Sequence, residues 1–263
     1  MKYGFIGCGN MGGALAKALS KTTKDIQLTD FFPEKAAALA EELGCSWTDS
    51  NENVARQCER IFLAVKPQMM AQMLDGISHI LAETKPLLIT MAAGLTISQI
   101  ESFSRCQLPV IRIMPNTPVA VGKGMITYCC NALVTQDMED SFLADMAYAG
   151  TFDSIPEKLI DAASAVAGCS PAYVYMMIEA MADGAVACGL PRDKAMRYAA
   201  TAVTGAAEMV LSSGKHPGEL KDAVCSPAGS TIAGVRILEE NGFRGALMDC
   251  IIGAWQRNNE LGK

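Results

Sequence analysis

The sequence contains few residues that could hold a metal ion. Its two histidines, His79 and His216, share no spacing with cysteines or acidic residues that is typical of a zinc site. Ten cysteines are scattered singly, apart from the adjacent Cys129 and Cys130, and no CxxC pair occurs. We therefore expect no metal centre, and we expect reduced thiols that pack as small apolar side chains.

Long apolar runs and basic runs are also missing. No stretch approaches the ~20 uninterrupted apolar residues of a transmembrane helix, and glycines interrupt the apolar N-terminus before it could form a signal peptide. The formal net charge is −6, without a basic run, so nucleic acids and anionic membranes are poor candidates as partners. Half of the residues are apolar and 19% are charged, which is typical of a globular protein with a substantial core. We expect a cytoplasmic protein.

The N-terminus carries a pattern typical of dinucleotide binding. An apolar run, Tyr3 to Ile6, is followed by Gly7-x-Gly9-x-x-Gly12 and then by apolar residues at helical spacing. A strand, a tight turn and a helix in this order form the Rossmann fingerprint, with glycines for the turn, for the approach of the pyrophosphate and for close packing. The helix that begins near Asn10 would direct free N–H groups at the phosphates. An ordinary glycine-rich turn between strand and helix is the alternative.

Asp30 ends a second predicted strand. It lies about 20 residues beyond the glycine motif, where an acidic residue of a Rossmann fold binds the adenosine ribose hydroxyls. Asp30 could equally end the strand or cap the next helix, predicted at 33–43, which Pro33 opens. If Asp30 does bind the ribose, it disfavours the extra phosphate of NADP, and no arginine stands beside it.

Strands and helices alternate through residue 155, which predicts an α/β fold with a Rossmann-type doubly wound sheet. In such sheets ligands gather at the carboxyl ends of the strands. Three segments at predicted strand ends should therefore line the cofactor crevice: Ala64–Pro67, Met91–Gly94 and Pro115–Pro118. Lys66 could also be a solvated loop residue, and the loop around Asn116 could be purely structural.

After about residue 156 the strand signals disappear. Helices are predicted at 157–167, 171–188, 192–213 and 231–241, and from about 243. We therefore divide the chain into a dinucleotide-binding domain, 1–155, and an all-helical C-terminal dimerisation and substrate domain, 156–263. The helix from Pro171 is apolar nearly all round, and so few helices bury little surface alone. We expect a homodimer in which the C-terminal helices of two subunits pack together.

Lys221–Ile232 is a second segment whose residues could take part in chemistry. Pro227 and Gly229 shape a loop, and Ser230 or Thr231 begins a predicted helix. Free N–H groups at that start could bind a carboxylate, and the Thr231 hydroxyl could bond to the group beside it. A Ser or Thr helix cap after a proline turn accounts for the same residues without a ligand.

Eight motifs, in order along nearly the whole chain, resemble those of the pyrroline-5-carboxylate reductases. They are Gly7–Gly12, Ala64–Pro67, Met91–Gly94, Arg112–Pro118, Ser170–Tyr173, Glu179–Asp183, His216–Gly218 and Cys225–Thr231. The last is the most specific, and it departs from the usual pattern, which has a second glycine at Ala228 and often threonine at Ser230. Alanine at 228 has fewer backbone conformations than glycine next to the substrate loop.

The resemblance implies an oxidoreductase acting on a CH–NH group. NAD(P)H would reduce the imine carbon of Δ1-pyrroline-5-carboxylate by hydride transfer, giving L-proline in the last step of proline biosynthesis. In that family the site lies between subunits, which agrees with the expected homodimer or a higher oligomer. The family implies NADP(H), whereas Asp30 leaves NAD(H) open.

The resemblance also assigns roles to residues. Gly229, Ser230 and Thr231 hold the substrate carboxylate, and the Thr231 hydroxyl meets the ring nitrogen as the catalytic group. With Asp30 added from its spacing, the predicted cofactor residues are Ile6, Gly7, Cys8, Gly9, Asn10, Met11, Gly12, Asp30, Asn51, Ala64, Val65, Lys66, Pro67, Ala92, Ala93 and Asn116.

Two other functions stay open on the sequence. A β-hydroxyacid dehydrogenase-like oxidoreductase shares the glycine-rich opening but needs a lysine in its helical domain. Lys194, Lys215 and Lys221 are available, yet none lies in a suitable motif. A non-catalytic, dinucleotide-binding regulatory protein would keep Gly7–Gly12 but would have no reason to keep a carboxylate-binding loop.

Overall fold

A computed structural model describes residues 2–261 of the chain. Within them, eight strands form one sheet in the order β3-β2-β1-β4-β5-β6-β7-β8. The strands are β1 Tyr3–Ile6, β2 Ile26–Thr29, β3 Ser46–Trp47, β4 Arg60–Leu63, β5 Leu87–Thr90, β6 Val110–Met114, β7 Gly124–Cys130 and β8 Gly150–Ser154. All neighbours are parallel except β6 and β7, which pair antiparallel. The strand order reverses between β1 and β4, so the carboxyl end of β1 lies at a topological switch point, where ligands of such sheets bind.

Helices cover both faces of this sheet. They are α1 Asn10–Leu19, α2 Pro33–Leu43, α3 Asn51–Gln57, α4 Pro67–Thr84, α5 Ile97–Ser104, α6 Gln136–Asp145 and α7 Ile160–Ala167. Along β4, Phe62 belongs to one apolar cluster while Ile61 and Leu63 belong to the other. This alternation follows from the two-residue period of a strand, and it buries β4 on both faces. The predicted doubly wound sheet is confirmed.

The remaining helices are α8 Ser170–Ala187, α9 Arg192–Ser213, α10 Pro217–Ala223, α11 Ser230–Glu240 and α12 Phe243–Leu261. Four elements, β3, α4, α5 and α10, had no bounds predicted from the sequence. β3 has two residues, too few for an alternating pattern. α10 has seven residues and follows a histidine cap, His216, whose Nδ1 accepts the Gly218 N–H at 3.1 Å.

Contacts between residues group the chain into two compact units. The first extends to Cys169 and resumes at Ala254, and the second is Ser170–Gly253. By its contacts α7 belongs to the first unit, and the domain boundary between residues 155 and 156 stays a prediction. No helix within residues 2–261 is both long enough and apolar enough to cross a membrane.

The second unit leaves much of its apolar surface uncovered. The buried cluster within it consists of the small residues Ala182, Ala195 and Ala199. In contrast, Met176 is 68% exposed and Leu211 is 80% exposed. An apolar surface of this extent is typical of a protein–protein interface.

Candidate active site

The three glycines of the N-terminal motif occupy distinct environments. Gly7 has φ +107°, and a Cβ there would lie 2.6 Å from the Ala64 carbonyl oxygen. A Cβ on Gly12 would lie 2.4 Å from the Gly7 carbonyl oxygen, whereas one on Gly9 would meet no atom within 4 Å. Glycine is therefore required at 7 by its backbone and at 12 by packing. Gly9 leaves open space beside the turn, which a phosphate group needs.

The start of α1 faces this open space. Gly9 occupies the position before the helix, no side chain caps it, and the first turn contains no acidic residue. The first N–H groups of an α-helix have no partner within the helix, and together with the helix dipole they attract anions. The loop and helix therefore provide an anion site at the carboxyl end of β1.

Asp30 is tied to the glycine loop. Its Oδ2 accepts the backbone N–H of Cys8 at 2.6 Å, and its Oδ1 accepts the N–H of Phe32 at 3.0 Å. Burial and, secondarily, the Asp30 charge raise the pKa of the Cys8 thiol to about 12, so this thiol stays protonated at neutral pH. Asp30 directly follows β2, as the strand-end alternative allowed, but it does not cap α2, whose capping position is Phe32 and has no side-chain hydrogen bond. The contact of Asp30 with a ribose stays a prediction.

A cleft of about 550 Å³ lies beside Gly7 and Asp30. Four segments besides β1 contribute to it: the β2–α2 connection, the chain leading into α3, the β4–α4 connection and the helix α4. Its lining residues are Ile6, Gly7, Asp30, Phe31, Pro33, Asp49, Ser50, Asn51, Glu52, Val65, Met69, Gln72, Met73, Gly76 and Ile77.

Five predicted cofactor residues meet at this cleft: Ile6, Gly7, Asp30, Asn51 and Val65. Others in the wall, such as Phe31 and Met73, were missed by the sequence analysis. Two adjacent aromatic residues directly after the acidic strand end were an available signal for Phe31. No local sequence pattern identifies the α4 side chains that line the cleft, because the packing orientation of α4 decides which of its faces lies there.

The carboxyl ends of β5 and β6 carry the other predicted residues. Ala92 is buried and Ala93 is exposed. The Asn116 amide is engaged within the protein, since its Oδ1 accepts the Met125 N–H at 3.0 Å and its Nδ2 donates to the Ala167 carbonyl at 2.9 Å. Asn116 therefore holds the loop after β6 in place, and its contact with a cofactor stays a prediction.

In the second unit, a tight turn precedes α11. The Gly229 N–H donates to the Ser226 carbonyl at 3.0 Å, and Ala228, the residue between Pro227 and Gly229, has φ +57°. Proline followed by a residue with positive φ is typical of a type II turn, which ordinarily has glycine at the second place. Ala228 adopts a glycine-like conformation in this loop.

The first turn of α11 lacks a side-chain cap. The helix begins at Ser230, Gly229 occupies the capping position, and the first turn contains no acidic residue. The alternative in which Ser230 or Thr231 caps the helix is therefore wrong. Both side chains are exposed beside uncapped N–H groups, an arrangement that suits a carboxylate and one further hydrogen bond.

A metal ion has no obvious place in the described part of the chain. Within residues 2–261, no group of three His, Cys, Asp or Glu side chains comes together in a way that could hold one. The two uncapped helix N-termini, at α1 and α11, offer N–H groups that can bind anions.

Two family models match the chain. Residues 157–261 match one described as pyrroline-5-carboxylate reductase dimerisation. Residues 2–94 match one described as NADP oxidoreductase, coenzyme F420-dependent. The first contains α11 and the apolar helices, and the second contains the glycine loop and Asp30.

Curated and solved proteins are similar over the full chain. The pyrroline-5-carboxylate reductase of Escherichia coli strain K12 is 42% identical, over 100% of this chain and 98% of its own length. That of Pisum sativum is 39% identical, over 98% of this chain and 95% of its own length. The crystal structure of Plasmodium falciparum pyrroline carboxylate reductase with NADP bound has a TM-score of 0.90 and 32% identity, covering 100% of this chain and 98% of that one.

Proposed function

Because the chain belongs to the pyrroline-5-carboxylate reductase family, it is an NAD(P)H-dependent oxidoreductase that reduces Δ1-pyrroline-5-carboxylate to L-proline, and we propose that its two uncapped helix N-termini hold the two ligands. This reaction is the last step of proline biosynthesis, and the subunits associate through the dimerisation domain as a homodimer. The observation that carries the proposal is the exposed start of α11, where Ser230 and Thr231 stand beside free N–H groups.

The residues around the glycine loop fit a dinucleotide. The open space at Gly9 and the uncapped start of α1 suit a pyrophosphate, since backbone N–H groups can approach it without a Cβ in the way. We assign the cofactor to the sixteen residues predicted from the sequence, five of which line the adjoining cleft: Ile6, Gly7, Asp30, Asn51 and Val65. When bound, the reduced nicotinamide supplies the hydride.

We infer that NADH is preferred over NADPH. The cleft is lined by three carboxylates, Asp30, Asp49 and Glu52, and by no lysine, arginine or histidine among its described lining residues. A ribose 2′-phosphate is dianionic near neutral pH and ordinarily needs an arginine nearby, whereas a 2′-hydroxyl donates readily to a carboxylate. The relative from Plasmodium falciparum has NADP bound, so this preference would be a property of the residues at this cleft.

The substrate needs little from side chains beyond position and one hydrogen bond. Its carboxylate would accept N–H groups at the start of α11, aided by the Ser230 hydroxyl. The Thr231 hydroxyl would bond to the ring nitrogen and orient it. A protonated imine is already electrophilic, so orientation accounts for most of the rate enhancement.

Two measurements of nicotinamide absorbance test these roles. With pyrroline-5-carboxylate as substrate, we expect kcat/KM to be at least about 10-fold higher with NADH than with NADPH, which corresponds to about 1.4 kcal/mol. Equal values would overturn the cofactor preference. Thr231→Ala should lower kcat/KM by about 10- to 1,000-fold, and Thr231→Ser should restore most of it.

The matched control for Thr231 is Thr22→Ala. Thr22 is exposed and precedes β2, at the amino ends of the strands, so its loss should leave kcat/KM unchanged. Wild-type rates in Thr231→Ala would remove the hydroxyl from the mechanism while leaving the reaction in place.

We also infer a cytoplasmic location. All ten cysteines are free thiols, which suits a reducing compartment. Cell fractionation with an antibody against the chain tests this, and recovery in a secreted or membrane fraction would contradict it.

A further inference from the structure

Phe31 is a large apolar side chain held in the open beside Asp30. The residue is 79% exposed, and its ring packs edge-on against the Phe32 ring, with 5.1 Å between ring centroids. Phe32 is more engaged, since it precedes α2 and the Lys35 ammonium lies 4.6 Å from its ring centroid. Phe31 is therefore the more exposed of the two aromatic side chains in the β2–α2 connection.

The same ring lines the cleft next to Asp30, and α4 contributes apolar side chains to that cleft. Met69, Met73 and Ile77 belong to its lining. At Gly76, which also lines it, a Cβ would meet no atom within 4 Å, so space remains at this point of α4. A cleft with an aromatic ring, flexible methionines and free space suits a flat, apolar-faced ligand.

The position of Phe31 in the chain indicates what that ligand is. Asp30 stands where a Rossmann fold binds the adenosine ribose, and the purine is bonded to that ribose. We propose that Phe31 stacks on the adenine ring of the dinucleotide, with Met69 and Met73 packing against its remaining apolar surface. This inference rests on the proposed function, because it assumes that the cleft holds the adenosine half of the cofactor.

Phe31 and Asp30 then have separable roles. Stacking uses the π-face of the base and is insensitive to the ribose 2′ position. Phe31 therefore raises the affinity for NADH and NADPH alike, whereas the Asp30 carboxylate discriminates between them.

Binding of ADP-ribose, which carries the adenosine half without nicotinamide, provides a readout that does not depend on turnover. Measured by isothermal titration calorimetry, Phe31→Ala should weaken ADP-ribose binding by about 5- to 100-fold, the range for losing one base–aromatic stack. Phe31→Trp should keep it within about 3-fold of wild type, since indole also stacks. In kinetics, Phe31→Ala should raise KM for NADH and for NADPH by a common factor and leave KM for pyrroline-5-carboxylate unchanged.

Phe32→Ala is the matched control in the same loop. Its ring is absent from the lining of the cleft, so we expect a clearly smaller effect on ADP-ribose binding. Wild-type ADP-ribose affinity in Phe31→Ala would overturn the inference, as would an equal loss in Phe32→Ala, which would indicate disruption of the loop. Failure of the proposed function is recognised separately: wild-type protein would bind ADP-ribose yet oxidise neither NADH nor NADPH with the substrate.

Discussion

The backbone N–H of Cys8 donates a 2.6 Å hydrogen bond to Oδ2 of Asp30, 22 residues further along the chain. The other carboxylate oxygen accepts the Phe32 N–H, so one side chain links the glycine loop to the residue before α2. Hydrogen bonds to an ionised acceptor are stronger than those between neutral groups. Asp30 therefore holds the glycine loop in place in addition to any contact with ribose.

Substitutions at Asp30 should separate these two roles. Asp30→Ala leaves the part-buried Cys8 N–H without its acceptor, and we expect a loss of about 1–3 kcal/mol in the free energy of unfolding, measured with urea. Asp30→Asn keeps one side-chain oxygen but removes the charge. It should cost less stability and should shift the ratio of kcat/KM values toward NADPH by about 10-fold. An unchanged ratio would leave Asp30 with a structural role only.

Ala228 should tolerate glycine and reject valine. At φ +57° an L-residue is strained by about 1–2 kcal/mol, and Ala228→Gly relieves this strain while making the unfolded chain more flexible. We expect the two effects to nearly cancel, with kcat/KM within about 3-fold of wild type.

Ala228→Val places a β-branched residue in a left-handed conformation. It should lower the free energy of unfolding by about 1–3 kcal/mol and raise KM for pyrroline-5-carboxylate, because the turn orients the start of α11. The control is Ala223→Val, at the exposed end of α10, where only the small helix propensity difference applies. Equal effects at both positions would show that the turn conformation is unimportant.

Arg112 links the sheet to two later segments. Its buried guanidinium lies 3.0 Å from Oε1 of Glu157 and 3.4 Å from Oδ1 of Asp161, and the same Glu157 oxygen accepts the N–H of Ile97 at the start of α5. Arg112→Met removes the cation and leaves these carboxylates unpaired. Because both carboxylates are about one-third exposed, we expect a loss of about 1–3 kcal/mol rather than the larger cost of a fully buried pair.

A double-mutant cycle with Glu157→Gln tests whether this stabilisation comes from the pair. The combined variant should lose less than the sum of the single losses, by about 0.5–2 kcal/mol, since the two residues contact each other. Strict additivity in urea unfolding would contradict a direct coupling.

Cys58 should make the protein less stable at alkaline pH. Burial, the largest cause, raises the pKa of this thiol from 9.0 to about 11. Between these values the unfolded chain releases the proton while the folded chain keeps it, so stability falls as pH rises above about 9. At lower pH both states are protonated, and the shift has no effect.

Cys58→Ala removes this one titrating thiol, while all other titrating groups are common to the wild type and the variant. The stability difference between wild type and variant, measured by urea unfolding at pH 8, 9.5 and 11, should therefore shrink as pH rises. The stability difference cannot change by more than about 1.4 kcal/mol per pH unit, which is the limit for one titrating group. A constant difference would mean that the folded thiol titrates normally.

Local patterns were sufficient for much of the fold. Apolar residues at two-residue and helical spacing marked seven strands and most of the helices, although not α4 or α5, and the glycine spacing marked the turn after β1. β3 was not predicted because a two-residue strand has no detectable periodicity, and its place at the sheet edge depends on pairing with β2. The α4 residues that line the cleft were not predicted for a related reason. The face of α4 that lies beside the β2–α2 connection depends on how the helix packs.

The sequence by itself determined the α/β class, the glycine loop, the proline- and glycine-shaped loop before α11 and the family, because each depends on residue types at short spacing or on motifs in a fixed order. The tertiary structure alone decided that Asp30 holds the Cys8 N–H, that Asn116 is engaged with Met125 and Ala167, and that Phe31 shares a cleft with α4. These relationships join residues that are not neighbours in the chain, and only the folding of the backbone brings them within contact distance.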